Sequence, residues 1–372
     1  MIGIVFMTVA AMAAGFIVIT IVGMRYEAQW AKNLSLDISF SEEQAGEGDT
    51  LYLYETIVND KERILPSLCV KFKTSRYLVF DDSEGSSVSD YFYRNDVMSV
   101  GGFEKVRRKL RFRCERRGQY TIEGVELVGN DYFLRRRFLE KREEKASLIV
   151  YPSFVGVEKL TPLFEKNYGE MSTKVPMFED PFEYVGVREY MPGDSMSRVN
   201  WKASARTARW QVRTSAFTAG QPVWILLNLE SPGAFVNAVS MEENIRIAYS
   251  LIYYLDKRGI STTLVSNGSG GLHIAGNGRG HMAEIRRRLA TIRYDKISRN
   301  GEELLRRAAE QLSGNEYVFF LSAAGKPEIR QQLTGLRKNG IGLTWVAVVA
   351  GGEDDTKGCE PGVEACLYRW RV

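Results

Sequence analysis

Val223-Trp224-Ile225-Leu226-Leu227-Asn228-Leu229 is apolar at every position except Asn228 and comes directly after Pro222. A strand with one wet face would alternate, so an unbroken run of this length predicts a parallel strand covered on both sides. Downstream, Ser240 with Glu243 reads as a capping box opening a helix. That helix would align Met241, Ile245, Ala248, Tyr249, Ile252 and Leu255 on one stripe and stop at Gly259. Ile260 to Ser266 is the next strand, and Asn267 to Gly271 turns it back into Leu272-His273-Ile274. Helices are expected at about 281–293 and 301–313, then the strand Tyr317 to Leu321. Pro327 suits the first turn of a further helix ending at Gly340 and leading into Leu343 to Val349; Cys366 to Arg371 would close an edge. Strands alternating with crossover helices, plus one edge hairpin, predict a mixed, doubly wound α/β sheet over residues 221–372.

The text before Pro152 has a different period. In Lys109-Leu110-Arg111-Phe112-Arg113-Cys114-Glu115 the apolar residues stand at 110, 112 and 114 with charges between, and Leu36, Ile38 and Phe40 alternate in the same way. Turn clusters such as Gly46 to Asp49 and Arg117-Gly118-Gln119 punctuate these runs. Short strands at regular spacing predict an all-β sandwich over residues 34–152. The cations from Lys105 to Arg117 then read as the solvated face of one strand, not a nucleic-acid patch.

Further upstream, Met1 to Met24 contains no charged side chain. About 23 helical residues span roughly 35 Å, against a hydrocarbon core of about 30 Å, so residues 1–24 predict a single transmembrane helix. The absence of a basic n-region and of a small-x-small cleavage site favours an uncleaved anchor over a secretory signal. Arg25 and Lys32 come immediately after it, which by the positive-inside rule places the remainder in the cytoplasm.

Composition narrows the function classes. The chain has 372 residues and a net charge of +4, too modest a surplus to suggest nucleic-acid binding. Cys69, Cys114, Cys359 and Cys366 form no C-x-x-C spacing, and the histidines are His273 and His281 only, which argues against structural zinc. Free thiols are expected, although Cys359 and Cys366 could pair in an oxidising compartment. Gly276 to His281 lacks the spacing and lysine of a phosphate loop and reads as a flexible connector.

Residues 153–220 carry little periodicity and read as a connector, yet they contain the densest stretch of the chain, Arg188 to Arg206. Pro192-Gly193 predicts a tight turn, with Asp194 or Ser195 capping the next segment. Met196 to Arg206 would form a short helix with Val199 and Ala203 on one face. Two roles remain open: a structural plug, with Trp201 buried and Asp194 paired to Arg198 or Arg206, or a docking surface, since Trp and Arg are enriched in binding hot spots. Neither Ser195 nor Ser204 has a visible base beside it, so catalysis is not expected.

This stretch resembles the signature R-x-Y-x-P-G-D-x-x-R-x-I-x-W-x-x-S-A-R of a bacterial family catalogued as domain of unknown function 58. Arg188, Tyr190, Pro192, Gly193, Asp194, Arg198, Trp201, Ser204, Ala205 and Arg206 occupy motif positions, with Asn200 beside Trp201, and Val199 stands in place of isoleucine. Asn130-Asp131-Tyr132-Phe133-Leu134 is similar to the family's D-x-F-G-L turn, without its glycine. The resemblance implies a von Willebrand factor A-like fold for 221–372 and a MoxR-type AAA+ ATPase as partner in the assembly or maturation of other proteins. In factor A-like domains a D-x-S-x-S loop after the first strand holds a divalent cation. The matching positions here are Asn228, Glu230 and Pro232, with Ser231 between, so the metal site is read as lost and no cofactor is expected. The resulting expectation is a single-pass membrane adaptor without enzymatic activity. Its rivals are an outward-facing, metal-dependent adhesion receptor and a cell-envelope hydrolase.

Overall fold

The computed structural model describes residues 2–81, 87–88, 91–131, 135–166, 184–190, 199–215, 222–233, 237–314, 316–350, 356 and 359–372. The chain divides into two compact units, Met1–Ser153 and Phe154–Val372.

The first unit opens with helix α1 (Ile2–Glu27), whose segment Phe6–Glu27 is long and apolar enough to cross a membrane. Its first strands are β1 (Leu34–Phe40), β2 (Gln44–Gly46), β3 (Thr50–Asn59), β4 (Leu65–Ser75) and β5 (Leu78–Phe80). Next come β6 (Ser87–Val88), β7 (Tyr91–Val100), β8 (Glu104–Cys114), β9 (Gly118–Asn130) and β10 (Arg137–Tyr151). They form a four-stranded sheet in the order β1-β3-β8-β5 and a six-stranded sheet in the order β2-β10-β9-β4-β7-β6. Pairing is antiparallel except between β10 and the short β2. The alternating residues explain why the sheets stack. Leu36, Leu53 and Phe112 from one sheet and Val70, Ile122 and Leu148 from the other belong to a single buried cluster, the core of a β-sandwich.

Outward-facing cations of β8 behave as the alternation predicts: Arg107 lies over the Tyr54 ring (4.2 Å) and Lys109 over Tyr52 (3.7 Å). Arg108 departs from this pattern. It shares the phase of Leu110 and Phe112 and points inward, where it pairs with Asp96 (3.1 Å). Arg94 pairs with the same carboxylate (2.6 Å), and Glu55 is fully buried nearby. Burial, then the charge of Asp96, pushes the Glu55 carboxyl up to about 8.

The second unit begins with α2 (Val157–Lys166), where the sequence predicts a connector. Leu160 and Leu163 recur three residues apart and are buried in the core, an amphipathic signal too short to stand out among the surrounding prolines. After α2 come β11 (Tyr184–Glu189), α3 (Trp201–Thr207) and β12 (Gln211–Ser215). The sheet proper contains β13 (Val223–Leu227), β14 (Thr262–Ser266), β15 (Leu272–Gly276), β16 (Tyr317–Leu321), β17 (Gly342–Val349) and β18 (Leu367–Arg371), in the order β15-β14-β13-β16-β17-β18. Every pair is parallel except β14 with β15, the predicted edge hairpin.

Helices α4 (Ala238–Asp256), α5 (Gly278–Thr291), α6 (Gly301–Gln311), α7 (Pro327–Lys338) and the short α8 (Pro361–Glu364) cover the sheet. Along β13 the unbroken apolar run serves two cores. Val223, Ile225 and Leu227 face α2, α4 and α5, while Trp224 and Leu226 face α6 and α7. The predicted capping box is displaced: Asn237 is the N-cap of α4, accepting from the Ser240 N–H, and Glu243 instead accepts from Trp370 Nε1 (3.0 Å). Asn wins because its side-chain oxygen reaches the third N–H of a helix that starts earlier. Gly278-Arg279-Gly280, expected as a connector, forms the first turn of α5.

Candidate functional site

The signature segment folds as a hairpin carrying a helix. β11 pairs antiparallel with β12, and Arg188 takes its place on β11 opposite Val212. Val199 bridges the same Val212 in extended conformation and is buried, so the helix starts at Trp201 instead of Met196, and Val199 is not on its face. Asn200 caps α3 by accepting from the Ala203 N–H (3.2 Å). Ser204 Oγ donates to the Asn200 carbonyl (2.8 Å) and accepts from the Gln211 N–H (2.9 Å), which ties the helix to β12 and commits the hydroxyl to structure. Ala208 ends the helix in the left-handed region (φ 54°). Pro192, Gly193, Asp194, Ser195 and Arg198 lie outside the described residues, and with them the expected turn and the Asp194 pairings.

This scaffold displays aromatic side chains to water. Trp201 is 64% exposed and Trp210 is 51% exposed; their rings meet edge-on at 6.2 Å, and Tyr190 meets Trp210 at 5.6 Å. The burial expected of a plug is not found at Trp201. Lys202, Ala205 and Arg206 are exposed on the same short helix, and Arg209 pairs with Glu189 (2.7 Å). Trp210 carries no motif mark in the sequence; its clue is a second tryptophan nine residues after Trp201, just beyond the resemblance.

A second cluster lies at the carboxyl ends of β13, β14 and β16, where open α/β sheets place their ligands. Asn228 is fully buried; its Nδ2 donates to Ser322 Oγ (2.8 Å), and its Oδ1 accepts from Asn267 Nδ2 (2.6 Å) and the Glu230 N–H (3.1 Å). Asn267 Oδ1 accepts in turn from the Leu229 N–H (2.8 Å). Glu230 accepts from Lys326 Nζ (2.6 Å) and from the Gly301 N–H at the start of α6 (2.7 Å). An ammonium group and a helix N-terminus thus neutralise the carboxylate that a hard cation would need. Gly301 is required at this close approach, because a Cβ there would lie 2.5 Å from Asn228 Nδ2. Among the described residues no group of three or more His, Cys, Asp or Glu could hold a metal ion, and the Ser231 hydroxyl adds no second carboxylate to Glu230.

A shallow depression beside this edge is lined by Arg299, Asn300, Glu302, Glu303 and Arg306. Its charges answer one another: hydrogen bonds from Arg306 and Arg307 draw the Glu303 carboxyl down to about 2. The histidines are used in packing. His273 stacks near Trp224 at 6.0 Å, and burial pushes the His281 imidazole below its ordinary range. All four cysteines are free thiols, so Cys359 and Cys366 form no bridge.

No curated protein matches the chain. Solved structures similar to part of it include the CARDB domain of a Pyrococcus furiosus protein in complex with di-metal ions. That domain is 15% identical, with 32% of this chain and 90% of that one covered and a TM-score of 0.22. A non-cellulosomal cohesin from Archaeoglobus fulgidus is 12% identical over 34% of this chain and 96% of its own, with a TM-score of 0.22. An alkylpurine DNA glycosylase from Pseudomonas fluorescens, bound to DNA with an abasic site analog, is 11% identical over 32% and 30%, with a TM-score of 0.21. The β-sandwich therefore rests on the pairing of its own two sheets. The family described as "Protein of unknown function DUF58" matches residues 186–317, from the signature hairpin to the start of β16. Over these residues the chain is similar to that family.

Proposed function

We propose that the chain is a membrane-anchored adaptor without a reactive centre, which captures a partner protein on the aromatic surface of Tyr190, Trp201 and Trp210. The observation that carries this reading is the pair of tryptophans, both more than half exposed and in contact with one another. Large aromatic rings left in water are costly for a surface with no ligand, and Trp with neighbouring Arg is the commonest hot-spot chemistry. Lys202 and Arg206, exposed on the same helix as Trp201, suit a partner surface with acidic character.

The partner is a MoxR-type AAA+ ATPase, as the family resemblance implies. Residues 221–372 act as a von Willebrand factor A-like scaffold in which Asn228, Asn267 and the Lys326–Glu230 pair stand where a metal-binding domain would hold its cation. The apolar Phe6–Glu27 segment supplies the anchor, and Arg25 with Lys32 favours a cytoplasmic placement of both units.

The test is capture of the ATPase by the detergent-solubilised full chain. Trp201→Ala and Trp210→Ala should each weaken capture by about 30-fold, the range of a hot spot, while thermal unfolding stays unchanged. Capture equal to the parent by both variants would refute docking at this surface. Unfolding of both would assign the rings a structural role instead.

A further inference from the structure

We infer that the end of the β-sandwich from which α1 emerges lies against anionic phospholipid headgroups, with Phe103 and Ile64 entering the interface and Arg25 and Arg63 meeting lipid phosphates. This rests on the reading of α1 as a membrane anchor and adds a second, peripheral contact.

No free tether separates helix from sandwich. Tyr26, two residues past Met24, and Trp30, three residues past the end of α1, are buried in the sandwich core and contact Phe138 at 5.8 and 6.1 Å. Gly129 admits the Trp30 ring so closely that a Cβ would lie 2.6 Å from it. The sandwich is thus held within about two helical turns of the level at which the apolar segment ends. Cations from the neighbouring loops gather at that level. Arg63 donates to the Arg25 carbonyl (3.4 Å), Lys61 donates to the carbonyls of Trp30 (2.7 Å) and Lys32 (2.9 Å), and Arg136 pairs with Glu27 (3.4 Å) beside Gly23.

The apolar component is independent of the charges. Phe103 tips the turn between β7 and β8, is 71% exposed, and has φ +53°, a left-handed conformation that a bulky L-residue adopts at a cost. That conformation is held in place. Gly102 approaches so near that a Cβ would lie 2.1 Å from the Glu62 carbonyl oxygen, and the Phe103 N–H donates to the Lys61 carbonyl (3.0 Å). Ile64, on the loop it packs against, is 46% exposed. An aromatic and an aliphatic side chain held outward beside Arg and Lys, next to an apolar helix, match the depth order of a bilayer interface. The acids at this end are Glu27, Asp60, Glu62, Glu104 and Asp131. Glu27 is committed to Arg136, Glu104 to the Gly101 N–H, and Asp131 to the Arg135 and Arg136 N–H groups.

The experiment uses the full chain with a nitroxide spin label at Phe103→Cys, in vesicles of phosphatidylcholine alone or of phosphatidylcholine and phosphatidylglycerol in equal parts. Val79→Cys is the control, because Val79 pairs with Arg113 at the opposite end of β8, and the labelled parent gives the background. Flotation first establishes that the chain is in the vesicles. With phosphatidylglycerol, the label at 103 should become shielded from a water-soluble nickel chelate and open to oxygen, while the label at 79 stays in water. Arg25→Glu with Arg63→Glu should return the label at 103 to water, each cation contributing about fivefold to partition at an anionic surface. A floating chain whose label at 103 is equally open to the chelate in both vesicles would overturn this inference and leave the anchor standing. A chain that does not float would overturn both.

Discussion

Buried Glu55 should make the sandwich lose stability between mildly acidic and neutral pH, and Glu55→Gln should remove most of that decline. Glu55 is fully buried among Asp96, Arg94 and Arg108, and its carboxyl is pushed up from 4.5 to about 8 by burial and by the Asp96 charge. Two carboxylates cannot hydrogen-bond each other, whereas a proton on Glu55 supplies a donor to Asp96. Because the folded value lies above the unfolded one, the group adds no pH dependence below about 4.5, where both states hold the proton. Above that, the unfolded chain sheds the proton and the folded chain does not, so stability falls with rising pH until about 8. The loss is roughly 3 kcal/mol at neutral pH, a large part of a typical domain's stability. Glutamine has the same shape, does not titrate, and can donate to Asp96. The assay is urea unfolding of parent and variant across that window, read by alkylation of the buried thiols Cys69 and Cys114 in a pulse at one fixed pH. Both thiols lie in the sandwich, so they report its opening alone. The same slope of midpoint against pH in both proteins would refute the assignment of a buried, protonated Glu55.

Asn228→Asp should destabilise the second unit by about 1–3 kcal/mol, because the carboxylate cannot donate to Ser322 Oγ and faces Glu230 without a cation of its own. Thermal melts with and without Mg²⁺ check this, and a rise in melting temperature with Mg²⁺ would show that Lys326 does not hold the cation's place. Leu163→Ala should cost about 2–5 kcal/mol in chemical unfolding, since Leu163 is fully buried against the α/β core. A change near zero would mean that α2 does not belong to that core.

Much of this architecture is legible in the residues alone. The alternation in residues 109–115 and the unbroken run 223–227 report directly how many faces of each strand meet protein, which is a local property of the chain. Helix starts are less legible: the capping box read at Ser240 and Glu243 gives way to Asn237, whose side chain accepts from the Ser240 N–H. Arg108 is recognisable as inward-facing from its phase with Leu110 and Phe112, but its partner is not, because it comes from another strand. The candidate docking surface is legible in part. Arg188 to Arg206 stands out by composition, yet burial and exposure of a tryptophan look identical in a sequence.

The order of residues alone determined the apolar N-terminal segment, the sandwich-then-α/β succession and the DUF58 resemblance, because each depends on residue type at fixed short spacing. Only the tertiary structure decided that Trp201 and Trp210 meet in water, that Lys326 occupies the Glu230 carboxylate, and that Phe103 is held outward beside the helix exit. Each of those joins groups brought together by chain folding, over separations at which the backbone's periodicities carry no information.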